Sequence, residues 1–163
     1  MDILAAQIGG ALKSHGLMLV TAESCTGGGV AQAITEVAGS SAWFERGFVT
    51  YSNLSKQQLL KVSEVTLNQH GAVSEATVRE MVEGALANSA AQVALAVSGI
   101  AGPNGGTLGK PVGTVWFAWG IKQGVTLARV HHLPGNRSDI RSKAVHIALQ
   151  GVQDLLDQVT VIA

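Results

Sequence analysis

Five polar or nucleophilic side chains crowd one short stretch, Thr21, Glu23, Ser24, Cys25 and Thr26, and the glycines Gly27, Gly28 and Gly29 follow at once. Glycines let a ligand approach the backbone closely, and free N–H groups at a helix start suit an anion or a developing oxyanion. The same residues also describe an ordinary capped helix start, with Ser24 or Thr26 as the cap. The stretch is not GxGxxG, not a P-loop, since no lysine follows the glycines, and not the GxSxG elbow of serine hydrolases.

A serine becomes a nucleophile only when a base takes its proton. Histidine is the usual base, but a lysine serves if burial leaves it neutral. Lys56, at the start of a short and fairly apolar helix behind Tyr51, Ser52 and Asn53, is the candidate; its alternative is a solvated surface lysine. The segment from Ser98 to Gly106 follows a buried strand, so Gly99 and Gly102 can wall a ligand pocket or belong to a plain surface loop. Arg137 stands beside a helix start, a sound arrangement for phosphate, although a capping Ser138 with solvated arginines fits the same residues.

The five histidines, His15, His70, His131, His132 and His146, show no HExxH or similar metal spacing, and no metal or cofactor is expected. Cys25 is a rival nucleophile beside Ser24; a lone cysteine excludes an internal disulfide framework and is otherwise read as a small buried thiol.

These candidates need elements to hold them. Leu4, Ala5, Ile8, Ala11 and Leu12 recur at helical spacing, and Gly16 ends that helix. Leu17 to Thr21 reads as a buried strand, followed by a helical pattern through Val30, Ala31, Ile34 and Val37, which places Ser24 at a strand-to-helix junction. Phe48, Val49 and Tyr51 suggest a second strand, and Leu54 to Lys61 a short helix. Ser74 caps an amphipathic helix that buries Val78, Met81, Val82, Ala85 and Leu86. Val93 to Ser98 is a buried strand. Val112 to Trp119 and Val125 to His131 form an antiparallel pair turning near Gln123 and Gly124, and a final helix runs from a Ser138 cap through Leu156. Helices and strands alternating before a late hairpin predict a single layered α/β domain, residues 1–163, with a mixed parallel and antiparallel sheet.

Composition narrows the function. At 163 residues, 47% hydrophobic and 13% charged, the chain has material for a full core, and an oligomer fits so neutral a surface. Eleven basic residues balance eleven acidic ones with no basic run, which argues against a nucleic-acid or anionic-membrane partner. No secretory signal and no apolar run of membrane-spanning length is visible, so a cytoplasmic location is expected.

Several motifs lie in one order: Thr21 to Gly28 (TAESCTGG), Ala38 to Phe44 (AGSSAWF), Gly47 to Asn53 (GFVTYSN), Gly71 to Ser74 (GAVS), Val97 to Pro103 (VSGIAGP) and Lys110 to Val115 (KPVGTV). Together they resemble the CinA C-terminal domain family in its stand-alone form, from about Leu17 to Leu156. The resemblance implies hydrolysis of nicotinamide mononucleotide to nicotinic acid mononucleotide and ammonia, in recycling of the pyridine nucleotide pool. It implies a three-layer α/β/α domain with a mixed sheet that assembles as a homodimer, with Ser24 and Lys56 as the catalytic pair. It extends the substrate pocket to Thr26, Tyr51, Asn53 and Arg137, beside the glycines Gly27, Gly28, Gly99 and Gly102. Longer relatives carry an N-terminal pyrophosphatase-like domain, whose activity is expected to be absent here. A non-catalytic nucleotide-binding module would keep the glycine loops and Arg137 without needing Ser24. One departure stands out: an acidic residue is expected where this chain has Asn136, a change that either loosens Arg137 or leaves a helix cap intact.

Overall fold

A computed structural model describes residues 2–162. Helix α1 (Asp2–Ser14) leads into strand β1 (Leu19–Glu23), helix α2 (Gly29–Thr35), a short 3-10 turn at Ser40–Ala42 and strand β2 (Phe44–Val49). Helices α3 (Asn53–Leu60), α4 (Glu64–His70) and α5 (Glu75–Ala87) follow in succession before strand β3 (Val93–Gly99). Strands β4 (Thr114–Ile121) and β5 (Thr126–His132) form a hairpin, and the long helix α6 (Arg137–Ile162) closes the order.

The five strands make one sheet in the order β2-β1-β3-β4-β5. β1 is parallel to both β2 and β3, whereas β3–β4 and β4–β5 are antiparallel. The alternation of a strand's two faces sorts the core into layers. Leu19, Leu95, Val97, Phe117 and Trp119 pack beneath α1, α2 and α6. Val20, Ala22, Ala94, Ala96 and Ala118 pack beneath α5 and the α3–α4 segment. The domain is thus the expected three-layer α/β/α sandwich with a mixed sheet.

The second face is built from alanines, and this lets α5 lie close. α3 comes equally close to α5: a Cβ added at Gly84 of α5 would sit 1.8 Å from the Leu60 carbonyl at the end of α3. Only glycine admits that approach, which seats the helix carrying Lys56. On the other face the Trp119 indole N–H donates to the Ala148 carbonyl at 2.8 Å, tying β4 to α6.

Several boundaries differ from the sequence expectation. β2 ends at Val49, so Tyr51 lies beyond the strand. α4, absent from the sequence reading, is a seven-residue helix capped by Ser63 that buries Leu67 alone, too little apolar periodicity to signal itself. Ser138 does not cap α6, which begins one residue earlier. Asn136 caps it: its Oδ1 accepts from the Asp139 N–H at 2.9 Å while Asp139 Oδ2 accepts from the Asn136 N–H at 3.0 Å. That reciprocal pair is a capping box, so Asn136 serves the cap fully. α6 also runs to Ile162, beyond the expected Leu156. Among the described residues no helix is long and apolar enough to cross a membrane.

Candidate active site

The parallel ladder between β2, β1 and β3 sets the site, because it continues past the strand ends. The Ser24 N–H donates to the Val97 carbonyl at 3.0 Å, and the Thr50 N–H donates to the Glu23 carbonyl at 2.8 Å. Ser24, Thr50 and Ser98 therefore come side by side at the carboxyl ends of three adjacent strands, where open α/β sheets place their ligands.

After Thr50 the chain turns at Ser52. The Ser52 hydroxyl accepts from the Ser55 N–H at 3.0 Å and the Ser55 hydroxyl accepts from the Ser52 N–H at 3.1 Å, so a capping box starts α3. Lys56, in the first turn of α3, is carried back over the end of the sheet. Its Nζ lies 2.9 Å from Ser24 Oγ, 2.8 Å from the Thr50 carbonyl and 3.3 Å from the Tyr51 carbonyl. Lys56 is 1% exposed and Ser24 7% exposed. Burial pushes the Lys56 ammonium down from 10.5 to about 8, against a weaker opposing pull from Cys25.

This geometry matters for proton transfer. The protonated amine uses all three N–H bonds on Ser24 Oγ and the two carbonyls. The neutral amine keeps two N–H bonds on the carbonyls of Thr50 and Tyr51. Its lone pair then faces the Ser24 hydroxyl, the orientation a general base needs. Among the described residues no carboxylate or phenol hydrogen-bonds to Nζ.

A cleft of about 270 Å³ opens on this pair. Tyr51, Arg137 and Gly99 to Gly102 border it, together with Ala72 and Val73 from the loop before α5. Arg137 donates Nη1 to the Gly102 carbonyl at 2.8 Å and Nη2 to the Tyr51 hydroxyl at 3.1 Å, so the guanidinium is fixed at the rim. Ser24, Lys56, Tyr51, Gly99, Gly102 and Arg137 are thus brought together.

The other four sequence candidates lie elsewhere. The Thr26 hydroxyl donates to Glu23 Oε1 at 2.5 Å, away from the cleft. Gly27 and Gly28, with φ of 60° and 101°, turn the chain into α2 and do not border the cleft. Asn53 is an exposed first residue of α3.

Two residues of the candidate stretches were given no role in the sequence reading. Ser98 is 1% exposed, borders the cleft and makes no hydrogen bond through its hydroxyl among the described residues. Its position at a strand end before a glycine was the available signal. Glu23 is fully buried and accepts from the N–H groups of Val30 at 2.9 Å and Ala31 at 3.0 Å. It caps α2 from the residue before Ser24, through contacts seven and eight residues away that no local capping rule predicts.

Cys25 borders the same cleft, but burial pushes its thiol up from 9.0 to about 11, so it is protonated at neutral pH. Among the described residues no group of three or more metal-ligating side chains comes together.

The model of the CinA C-terminal domain matches residues 1–156. The chain belongs to the CinA C-terminal domain family. It is 56% identical over 147 residues to the nicotinamide-nucleotide amidohydrolase PncC of Escherichia coli K12, covering 90% of this chain and 89% of that protein. It is 52% identical over 152 residues to the protein of the same name in Pseudomonas putida, covering 93% and 94%. The crystal structure of the competence/damage inducible protein CihA from Agrobacterium tumefaciens superposes with a TM-score of 0.92 at 46% identity, covering 94% of each chain.

Proposed function

We propose that this CinA-family chain is a nicotinamide-nucleotide amidohydrolase that converts nicotinamide mononucleotide and water to nicotinic acid mononucleotide and ammonia, with Ser24 as nucleophile and Lys56 as base. The observation that carries the reading is the buried contact of 2.9 Å between Ser24 Oγ and a Lys56 amine whose other hydrogen-bond partners are carbonyls. The names of the PncC relatives support the substrate class.

Neutral Lys56 takes the hydroxyl proton as Ser24 Oγ bonds to the carboxamide carbon, and the carbonyl oxygen becomes an oxyanion. Backbone N–H groups of the turn after Ser24 receive that charge. Lys56 then gives its proton to the nitrogen as the C–N bond breaks, and ammonia leaves. A water molecule repeats the sequence: its proton goes to Lys56, its oxygen bonds to the acyl carbon, and Ser24 leaves with the proton returned by Lys56. The product carboxylic acid ionises in solution.

The substrate's pyridinium charge works in the same direction as burial, because a cation nearby disfavours the charged lysine. Arg137 is the phosphate ligand in this reading, and Tyr51 packs on the ring or hydrogen-bonds the ribose. The reading serves pyridine nucleotide recycling. It includes a homodimer, for which the exposed Val49, Leu54 and Leu59 around β2 and α3 offer apolar surface.

The decisive experiment measures ammonia release from the purified chain with nicotinamide mononucleotide, with free nicotinamide and with Ser24→Ala. Release from the mononucleotide that vanishes in the variant is the expected result. A folded protein that binds the mononucleotide without releasing ammonia would overturn the amidase in favour of a binding module.

A further inference from the structure

The turn that carries Ser24 is gripped on the side away from the cleft. Within it, the Gly27 N–H donates to the Ser24 carbonyl at 3.0 Å and the Gly29 N–H donates to the Thr26 carbonyl at 3.0 Å. Those two donors are spent. Among the described residues the N–H groups of Thr26 and Gly28 have no acceptor, and that of Cys25 meets only the Cys25 thiol.

From α6, Arg141 donates Nε to the Cys25 carbonyl at 3.1 Å and Nη2 to the Thr26 carbonyl at 3.3 Å. Arg141 lies in a separate depression, bordered by Gln32, Glu36 and Ser142, which shares no lining residue with the catalytic cleft. Gly27 lies against this guanidinium, since a Cβ there would touch Nη2 at 3.4 Å.

A peptide unit is planar and trans, so its N–H points opposite to its C=O. Arg141 holds the Cys25 carbonyl, and the Thr26 N–H of the same peptide is therefore aimed away from Arg141. We infer that Arg141 is a positioning residue for the hydrolysis: it fixes the Cys25–Thr26 peptide so that the unspent Thr26 N–H meets the oxyanion formed at the attack of Ser24. This inference rests on the amidase reading and adds a role to a residue outside the cleft. α6 then serves the site twice, one helical turn apart, with Arg137 at the cleft and Arg141 behind the nucleophile.

Arg141→Met and Arg141→Lys in the full chain test it. In Arg141→Met, kcat for nicotinamide mononucleotide falls about tenfold or more, because a misaimed oxyanion donor loses rate in the transition state alone, while KM stays within about twofold. Arg141→Lys, whose ammonium reaches one carbonyl, falls between. Amide hydrogen exchange at Gly27 and Gly29 accelerates in both variants while β3 amides keep their protection. An unchanged kcat in Arg141→Met, or a change confined to KM, overturns the inference. If Arg141→Met fails to fold, unchanged kcat in Arg141→Lys overturns it equally. The exchange measurement needs no substrate. Unaltered exchange at Gly27 and Gly29 therefore sinks the role of Arg141 even if the wild-type chain releases no ammonia, an outcome that would strike the amidase reading separately.

Discussion

Replacing Lys56 by methionine should make the protein inactive and, near neutral pH, more stable. The ordinary lysine value of 10.5 applies to the unfolded chain and about 8 to the folded one. Below pH 8 both states carry the proton, so the full penalty of burying the ammonium weighs on the fold. Between pH 8 and 10.5 the unfolded chain holds a proton that the folded one has released, and stability rises with pH. Above 10.5 the penalty is gone. The gap corresponds to about 3 kcal/mol. Methionine matches the length of the lysine stem and removes the charge, but it leaves the buried Thr50 carbonyl without a donor, at a cost of about 1 kcal/mol. The exposed Tyr51 can bond its carbonyl to water instead. Lys56→Met should therefore be about 2 kcal/mol more stable than wild type at pH 7 and about 1 kcal/mol less stable above pH 10.5. Urea unfolding of both proteins from pH 6.5 to pH 10.5, followed by circular dichroism, measures the difference, in which the other titrating groups cancel. A difference that keeps one sign and one size across that range would refute the claim that Lys56 titrates in place, and ammonia release by the variant would remove it as the base.

Three further outcomes follow from the same geometry. kcat/KM should climb about tenfold per pH unit below the inflection near 8 and level above it, with the inflection in kcat displaced to lower pH by the bound pyridinium; a flat profile from pH 6 to 9 contradicts a lysine base. Low doses of iodoacetamide should leave the rate unchanged, and Cys25→Ala should remain active, because the thiol is buried and protonated; rapid inactivation would return Cys25 as the nucleophile. Ser98→Ala should lower kcat/KM about tenfold without loss of thermal stability, since its hydroxyl has no partner in the protein to lose; a fall in melting temperature with unchanged rate would show a structural role instead.

Periodicity in the sequence carried most of the fold, because each layer has its own apolar face: the Leu4 to Leu12 stripe, the Val78 to Leu86 stripe and the Val93 to Val97 run all lie where spacing placed them. Failures came where packing is not periodic. α4 buries one leucine and leaves no pattern. At the start of α6 two residues compete for the same task, Ser138 and Asn136, and reciprocal bonding with Asp139 decides for Asn136. The Asn136 departure consequently leaves Arg137 anchored through Gly102 and Tyr51, contacts in which residue 136 takes no part.

Chemistry at the site divides along the same line. Residue type named Ser24 and Lys56 as a possible pair, but no local rule separates a buried lysine from a solvated one. What decides is the ladder that places Thr50 beside Ser24, and the close approach at Gly84 that seats α3. Thr26, Gly27 and Gly28 looked like pocket residues because glycines beside hydroxyls suit a ligand. In the fold Gly27 and Gly28 shape the turn, the Thr26 hydroxyl meets Glu23, and Gly27 lies against Arg141 of α6. The buried Glu23 takes the N–H groups of α2, and Arg141 takes the carbonyls of Cys25 and Thr26. Those opposed bonds hold the turn from two sides and leave the Thr26 N–H among its unspent donors. Ser24 is therefore positioned by residues outside the cleft, and on the proposed mechanism substitutions at Glu23 or Arg141 should reach kcat before they reach KM.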